Sequence, residues 1–152
     1  MNPVRLYYWE GRGALGSLIR HACASPWDHV AVAVEFDGVP SYFESYPGAG
    51  FRMVPVAGDR PPDGVQETGL EWTLGKAGKV MLALSRRQYS RWNGLLTVFG
   101  LNRHSKRIEC AQAASLILQS LGMAVDSANP EGVAEAVEKL TGEPVRRTRC
   151  NS

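Results

Sequence analysis

No stretch of this 152-residue chain approaches the roughly 20 apolar residues that cross a bilayer. The opening residues, MNPVRLYYWEGRG, lack the continuous apolar run of a secretory signal. The expectation is therefore a cytoplasmic protein. Cysteine is scarce, with three residues at positions 23, 110 and 150, too far apart for a zinc-binding spacing. An odd count without a signal argues against a disulfide scaffold and for a reducing compartment, and it leaves at least one thiol free. A formal net charge of +2 is too small to argue for a nucleic-acid partner. Internal repeats, low-complexity blocks and long linkers are missing too, so residues 1–152 read as one domain.

What charge there is gathers in clusters: Arg86, Arg87 and Arg91; Arg103, Lys106 and Arg107; Arg146, Arg147 and Arg149. The plain reading is a solvated face and a loose basic tail from about residue 145. The alternative is a basic rim that attracts an acidic substrate.

Patterning predicts strands over 4–9, 29–36, 39–46, 51–56 and 79–85, and helices over 14–23, 86–100, 109–122 and 130–142. Asp37-Gly38 marks a tight hairpin between the second and third strands. Residues 57–68, AGDRPPDGVQET, read as a loop. Pro130 and Gly142 bracket the last helix in the usual asymmetric way. Strands in antiparallel succession followed by helices give an α+β fold, helices packed on an antiparallel sheet.

The clearest helix, 109–122, has Cys110, Ala113, Ala114, Ile117, Leu118 and Leu121 on one stripe. Cys110 thus lies in its first turn on the inward face. A small buried core residue would look the same. The helix start nevertheless carries about half a positive charge on unpaired N–H groups, which favours thiolate and can hold an oxyanion. Cys23 lies near a helix end, where the dipole opposes ionisation, and Cys150 lies in the tail.

A nucleophile needs a base, and the base needs a residue that fixes its orientation. Of His21, His29 and His104, only His29 has a carboxylate placed by strand geometry. A two-residue turn sets His29 opposite Tyr46, with Glu44 diagonal; a four-residue loop sets it opposite Glu44. In both registers His29 and Glu44 share a face. If Glu44 only orients the imidazole, Glu44→Gln is expected to spare stability. Trp27, Tyr42 and Tyr46 are the aromatic candidates for lining a substrate cleft, although packing is the commoner role of such residues.

The segments SLIRHACASPWDHVAVAVEFDGVPSYFESYP, IECAQAASLILQSLG and NPEGVAEAVEKLTG resemble the circularly permuted papain-like hydrolases related to NlpC-type cell-wall peptidases, the YiiX group. The resemblance spans roughly residues 5 to 140 and rests on the order and spacing of His29, Glu44 and Cys110. It implies a permuted papain-like fold, in which the histidine strand precedes the cysteine helix. It also implies hydrolysis of an amide or peptide bond in a small substrate, with peptidoglycan-derived peptides as one candidate. Cys110 would be the nucleophile, His29 the base and Glu44 the orienting residue, with no metal or organic cofactor. Glu109-Cys110-Ala111 stands where NlpC-type peptidases usually carry Asp-Cys-Ser, and Glu44 stands where relatives of lecithin:retinol acyltransferase usually carry a second histidine.

Two other readings stay open. One is an acyltransferase or lipase acting on lipid, for which WNGLLTVFGL (92–101) with its flanking arginines is the best membrane-contacting segment. The other is a binding or virion-associated module without catalysis. The sequence is silent on oligomeric state.

Overall fold

The computed structural model describes residues 2–11, 25–46, 48–86 and 109–148. The expected helices at 14–23 and 86–100, Cys23, Cys150, His21, His104 and the segment 92–101 lie outside the described residues, Arg86 excepted.

Asp37 and Gly38 take φ values of 50° and 77°. Two successive left-handed residues make a tight turn whose twist suits a hairpin. It joins β2 (His29–Phe36) to β3 (Val39–Tyr46) with Phe36 opposite Val39. On its far side β3 pairs with β4 (Gly50–Pro55), and Glu44 lies opposite Arg52. The other edge of β2 pairs with β1 (Pro3–Trp9), and Trp9 lies opposite His29. β5 (Gly64–Glu71) continues the sheet beyond β1, and β6 (Arg146–Arg147) closes the row. The result is a six-stranded antiparallel sheet in the order β4-β3-β2-β1-β5-β6.

Three described helices follow β5: α1 (Leu74–Ser85), α2 (Cys110–Leu121) and α3 (Pro130–Thr141). The stripe on α2 packs on Leu6, Tyr8, Val30, Val32, Val34 and Phe43, which point to one side of the sheet. Ala113 and Ala114 carry no bulk, so the helix axis approaches the strands closely. On the other side, Trp9, Ala31, Ala33 and Tyr42 form a second cluster. β2 is therefore covered on both faces, which explains its nearly unbroken apolar run. α2 stops at Gly122 in the left-handed conformation. Asn129 caps α3, its side chain accepting the Gly132 N–H at 2.7 Å. No described helix is long and apolar enough to cross a membrane.

Three expectations need correction. KVMLALS (79–85) is the second half of α1, not a strand. Its buried residues, Ala77 and Leu84, recur at a two-turn interval. The segment 57–68 is only partly loop, since β5 begins at Gly64. β5 turns Gln66 and Thr68 inward, both buried, and both are hydrogen-bonded. The Gln66 side chain accepts from Tyr8 Oη at 2.8 Å and donates to the Ala134 and Glu143 carbonyls, while Thr68 donates to the Val4 carbonyl. The basic tail is not loose at its start. Arg146 and Arg147 pair with β5, Arg147 forms an ion pair with Glu10 at 2.8 Å, and its guanidinium lies over Trp27.

Candidate active site

The hairpin places the imidazole and its carboxylate. Extending the observed register by three residues puts His29 opposite Tyr46 and diagonal to Glu44, the arrangement of the two-residue turn. The diagonal span is bridged by the length of the glutamate. His29 Nε2 and Glu44 Oε2 are 2.5 Å apart. Glu44 is only 3% exposed, so it is not a solvent-facing strand residue. Its second oxygen, Oε1, accepts from Arg52 Nε at 2.8 Å and Nη2 at 2.5 Å. With Glu44 buried and bonded on both oxygens, Glu44→Gln is expected to cost stability as well as orientation, which thermal melting of the variant would read.

Aromatic rings enclose the imidazole. Trp9 lies 5.5 Å away between centroids, and Tyr46 meets it edge-on at 6.0 Å. The Arg52 guanidinium stacks over the outer face of that tyrosine at 4.5 Å. These contacts restrict rotation of the ring, which a base needs if its geometry is to be fixed.

Cys110, the first residue of α2, is a buried free cysteine. It belongs to the helix side of the sheet, whereas the strand alternation puts His29 and Glu44 on the side of Tyr42 and Ala31. Cys110 nevertheless lies near enough to the His29 side chain to act on its ionisation. With Nε2 occupied by Glu44, Nδ1 is the nitrogen left for the thiol. Burial alone would lower the pKa of His29. The negative charge and hydrogen bond of Cys110, then those of Glu44, outweigh it and push the imidazole up to about 10. Burial likewise works to raise Glu44, but His29 and Arg52 hold its carboxyl below the usual range.

A cleft of about 350 Å³ opens beside the imidazole, with Trp9, Tyr42, Tyr46, Arg52, Asp59 and Arg60 among its walls. Tyr42 and Tyr46 thus fall where a lining role was expected. The Tyr42 hydroxyl donates to Asp59, and burial together with that carboxylate pushes its ionisation well above the ordinary tyrosine range. Trp27 is misplaced by the sequence reading. It is buried in the helix-side core against Tyr8, above Gly64, where a Cβ would collide with its ring. Cys110 does not line this cleft, which opens on the His29–Glu44 side. Arg52, Asp59 and Trp9 were not singled out from sequence. For Arg52 the usable signal was the register of β4 on β3.

Among solved structures, the crystal structure of metalloprotein YiiX from Escherichia coli O157:H7 superimposes with a TM-score of 0.58 over 96% of this chain and 88% of that one. The two sequences are 16% identical, so the likeness is one of fold: this chain has a YiiX-like α+β fold. No protein-family model and no curated protein matches the sequence.

Proposed function

We propose that this protein is a cysteine-dependent hydrolase of amide or peptide bonds, built as a circularly permuted papain-like domain. The observation that carries the reading is the bond between His29 and Glu44, with Cys110 at the start of α2 acting on the same imidazole. The histidine strand precedes the cysteine helix, as the permuted order requires. A thiol at a helix start, an imidazole with a raised pKa and a carboxylate on its far nitrogen fill the three roles of nucleophilic acyl transfer.

In this reading the resting pair is thiolate and imidazolium. The sulfur attacks the carbonyl carbon, forming an S–C bond while the C=O electron pair moves to oxygen. Backbone N–H groups at the start of α2 receive the oxyanion. As the C–N bond breaks, His29 gives its Nδ1 proton to the departing amine, leaving a thioester. A water then loses a proton to His29 and adds to the thioester carbonyl. Collapse releases the acid and restores the thiolate–imidazolium pair. Glu44 keeps its hydrogen bond to Nε2 throughout and takes no proton. Small peptides, including cell-wall-derived ones, are the substrate class.

The structural neighbour is described as a metalloprotein. The described residues of this chain do not fit a metal there: no group of three or more His, Cys, Asp or Glu is placed to share an ion. Both Glu44 oxygens and His29 Nε2 are already engaged, and a cation on Oε1 would displace Arg52. No step is routed through a metal.

Iodoacetamide labelling of native protein at pH 6.5, read by peptide mass spectrometry, is the first test. Cys110 is expected to react faster than an unstructured thiol, and His29→Ala should remove that advantage. In a screen of amide, ester and muropeptide substrates, Cys110→Ala and His29→Ala should each lower turnover by about 10³-fold or more. Equal labelling in wild type and His29→Ala, with turnover intact, would overturn the assignment.

A further inference from the structure

Arg52 is the feature the triad does not absorb. We propose that it is a positioning residue, gripping one oxygen of Glu44 so that only the other is presented to His29. This rests on the Cys–His–Glu reading of the site.

The geometry separates Arg52 from an ordinary cross-strand ion pair. Two nitrogens, Nε and Nη2, converge on the single atom Oε1. That leaves Oε2 wholly for the imidazole. Glu44 is 3% exposed, while the Arg52 side chain is 40% exposed. The cation thus plugs the solvent side of a buried carboxylate. Its outward swing is limited by stacking on Tyr46, the ring that also meets His29. Register fixes the pairing, because Arg52 is the direct cross-strand partner of Glu44.

Charge balance points the same way. A resting thiolate, imidazolium, carboxylate and guanidinium sum to zero. Without Arg52 the buried group carries one net negative charge, which low-polarity surroundings oppose. Other titratable or charged described residues nearby are Tyr42 and Tyr46 on β3, Asp28 before β2, Asp59 and Arg60 after β4, and Glu109 before Cys110. Of the cations, Arg52 bonds Glu44, whereas Arg60 bonds Asp63 and the Glu10 carbonyl.

The sheet supplies its own control. Arg5 and Glu67 are also direct partners on neighbouring antiparallel strands, but their single contact at 2.8 Å lies in solvent, with both side chains more than 40% exposed. The comparison uses Arg52→Gln, Arg52→Lys and Arg5→Gln, with two readouts that need no substrate. One is the low-field NMR resonance of the His29 Nε2–H proton held by Glu44. The other is the pH midpoint of Cys110 alkylation.

Arg52→Gln is expected to lose or shift the low-field proton upfield and to raise the alkylation midpoint by about one pH unit, a tenfold slower reaction at pH values below it. Arg52→Lys restores charge without the two-point grip, so it should recover most of the midpoint but not the proton signal. Arg5→Gln should change neither. With a substrate in hand, Arg52→Gln should lower kcat and leave KM nearly unchanged. An unchanged proton signal and midpoint in Arg52→Gln, or a raised KM with intact kcat, overturns the proposal. If Arg52→Gln does not fold, an unchanged proton signal in Arg52→Lys does the same. If wild-type Cys110 shows no enhanced labelling, the triad reading fails by itself, and the His29 resonance still decides what Arg52 does to the His29–Glu44 pair.

Discussion

At the scale of single residues, His29 makes a signed prediction about pH. Its imidazole titrates near 10 in the fold against about 6.5 in an unfolded chain. A group whose folded value is raised stabilises the native state fully below the lower value. That contribution then fades as pH rises through the higher one. Urea unfolding of wild type and His29→Ala at pH 6, 8 and 10.5 should therefore show the stability gap narrowing toward the alkaline end. The cause is equally testable. Cys110 supplies the leading contributions that raise the imidazole, so Cys110→Ala should move the His29 titration, followed by NMR, to lower pH. An unmoved titration would mean that the thiol does not influence the ring. Glu44 belongs to this scale too, because its burial could not be read from a strand in which Ser41, Glu44 and Ser45 sit among aromatics. All three are in fact buried.

At the scale of elements, β1, the hairpin, β4, α2 and α3 were legible, the hairpin and α3 for the plainest reasons. Asp37-Gly38 marks the turn, and both registers open to it put His29 and Glu44 on one face. The bracket of Pro130 and Gly142 marks α3, and Asn129 caps it. Asn129→Ala should cost about 1 kcal/mol, measurable by urea denaturation, since it leaves the Gly132 N–H without its acceptor. The misread elements fail in instructive ways. In β5 the inward positions are Gln66 and Thr68, so the apolar alternation that signals a strand is absent. Those side chains are tolerated because each finds partners in the core. KVMLALS carries an apolar run too short to show its period, and only with Leu74–Lys79 attached does it become helical. The pairing of His29 with Glu44 and the place of Cys110 could be approached from sequence because a hairpin and a helix start impose local geometry. Arg52 was harder to reach, because its place depends on the register of β4 alongside β3.

At the scale of the whole molecule, the sheet order separates local from distant pairing. β1 to β4 pair in chain order, whereas β5 joins the far edge of β1, whose residues lie about sixty positions away. His29, Glu44 and Arg52 all reside in the consecutive unit, and Cys110 follows almost sixty residues after Arg52. At translation rates of about 5–20 residues per second, that gap is about 3–12 s of synthesis. The hairpin unit can therefore leave the ribosome well before the sulfur exists. Non-local pairing is slow to form, on the order of milliseconds to seconds for sheets of this kind. Enhanced thiol reactivity should consequently be a late event in time. In refolding from urea, brief iodoacetamide pulses at pH 6.5 are expected to find accelerated Cys110 labelling only once tryptophan fluorescence reaches its native value. Labelling that accelerates while fluorescence is still changing would show that the thiol is activated before α2 docks. On the proposed reading, the arrangement makes the cysteine a clock hand for its own folding: a nascent or half-made chain would carry an ordinary thiol, and the reactive one would be armed only in the finished chain.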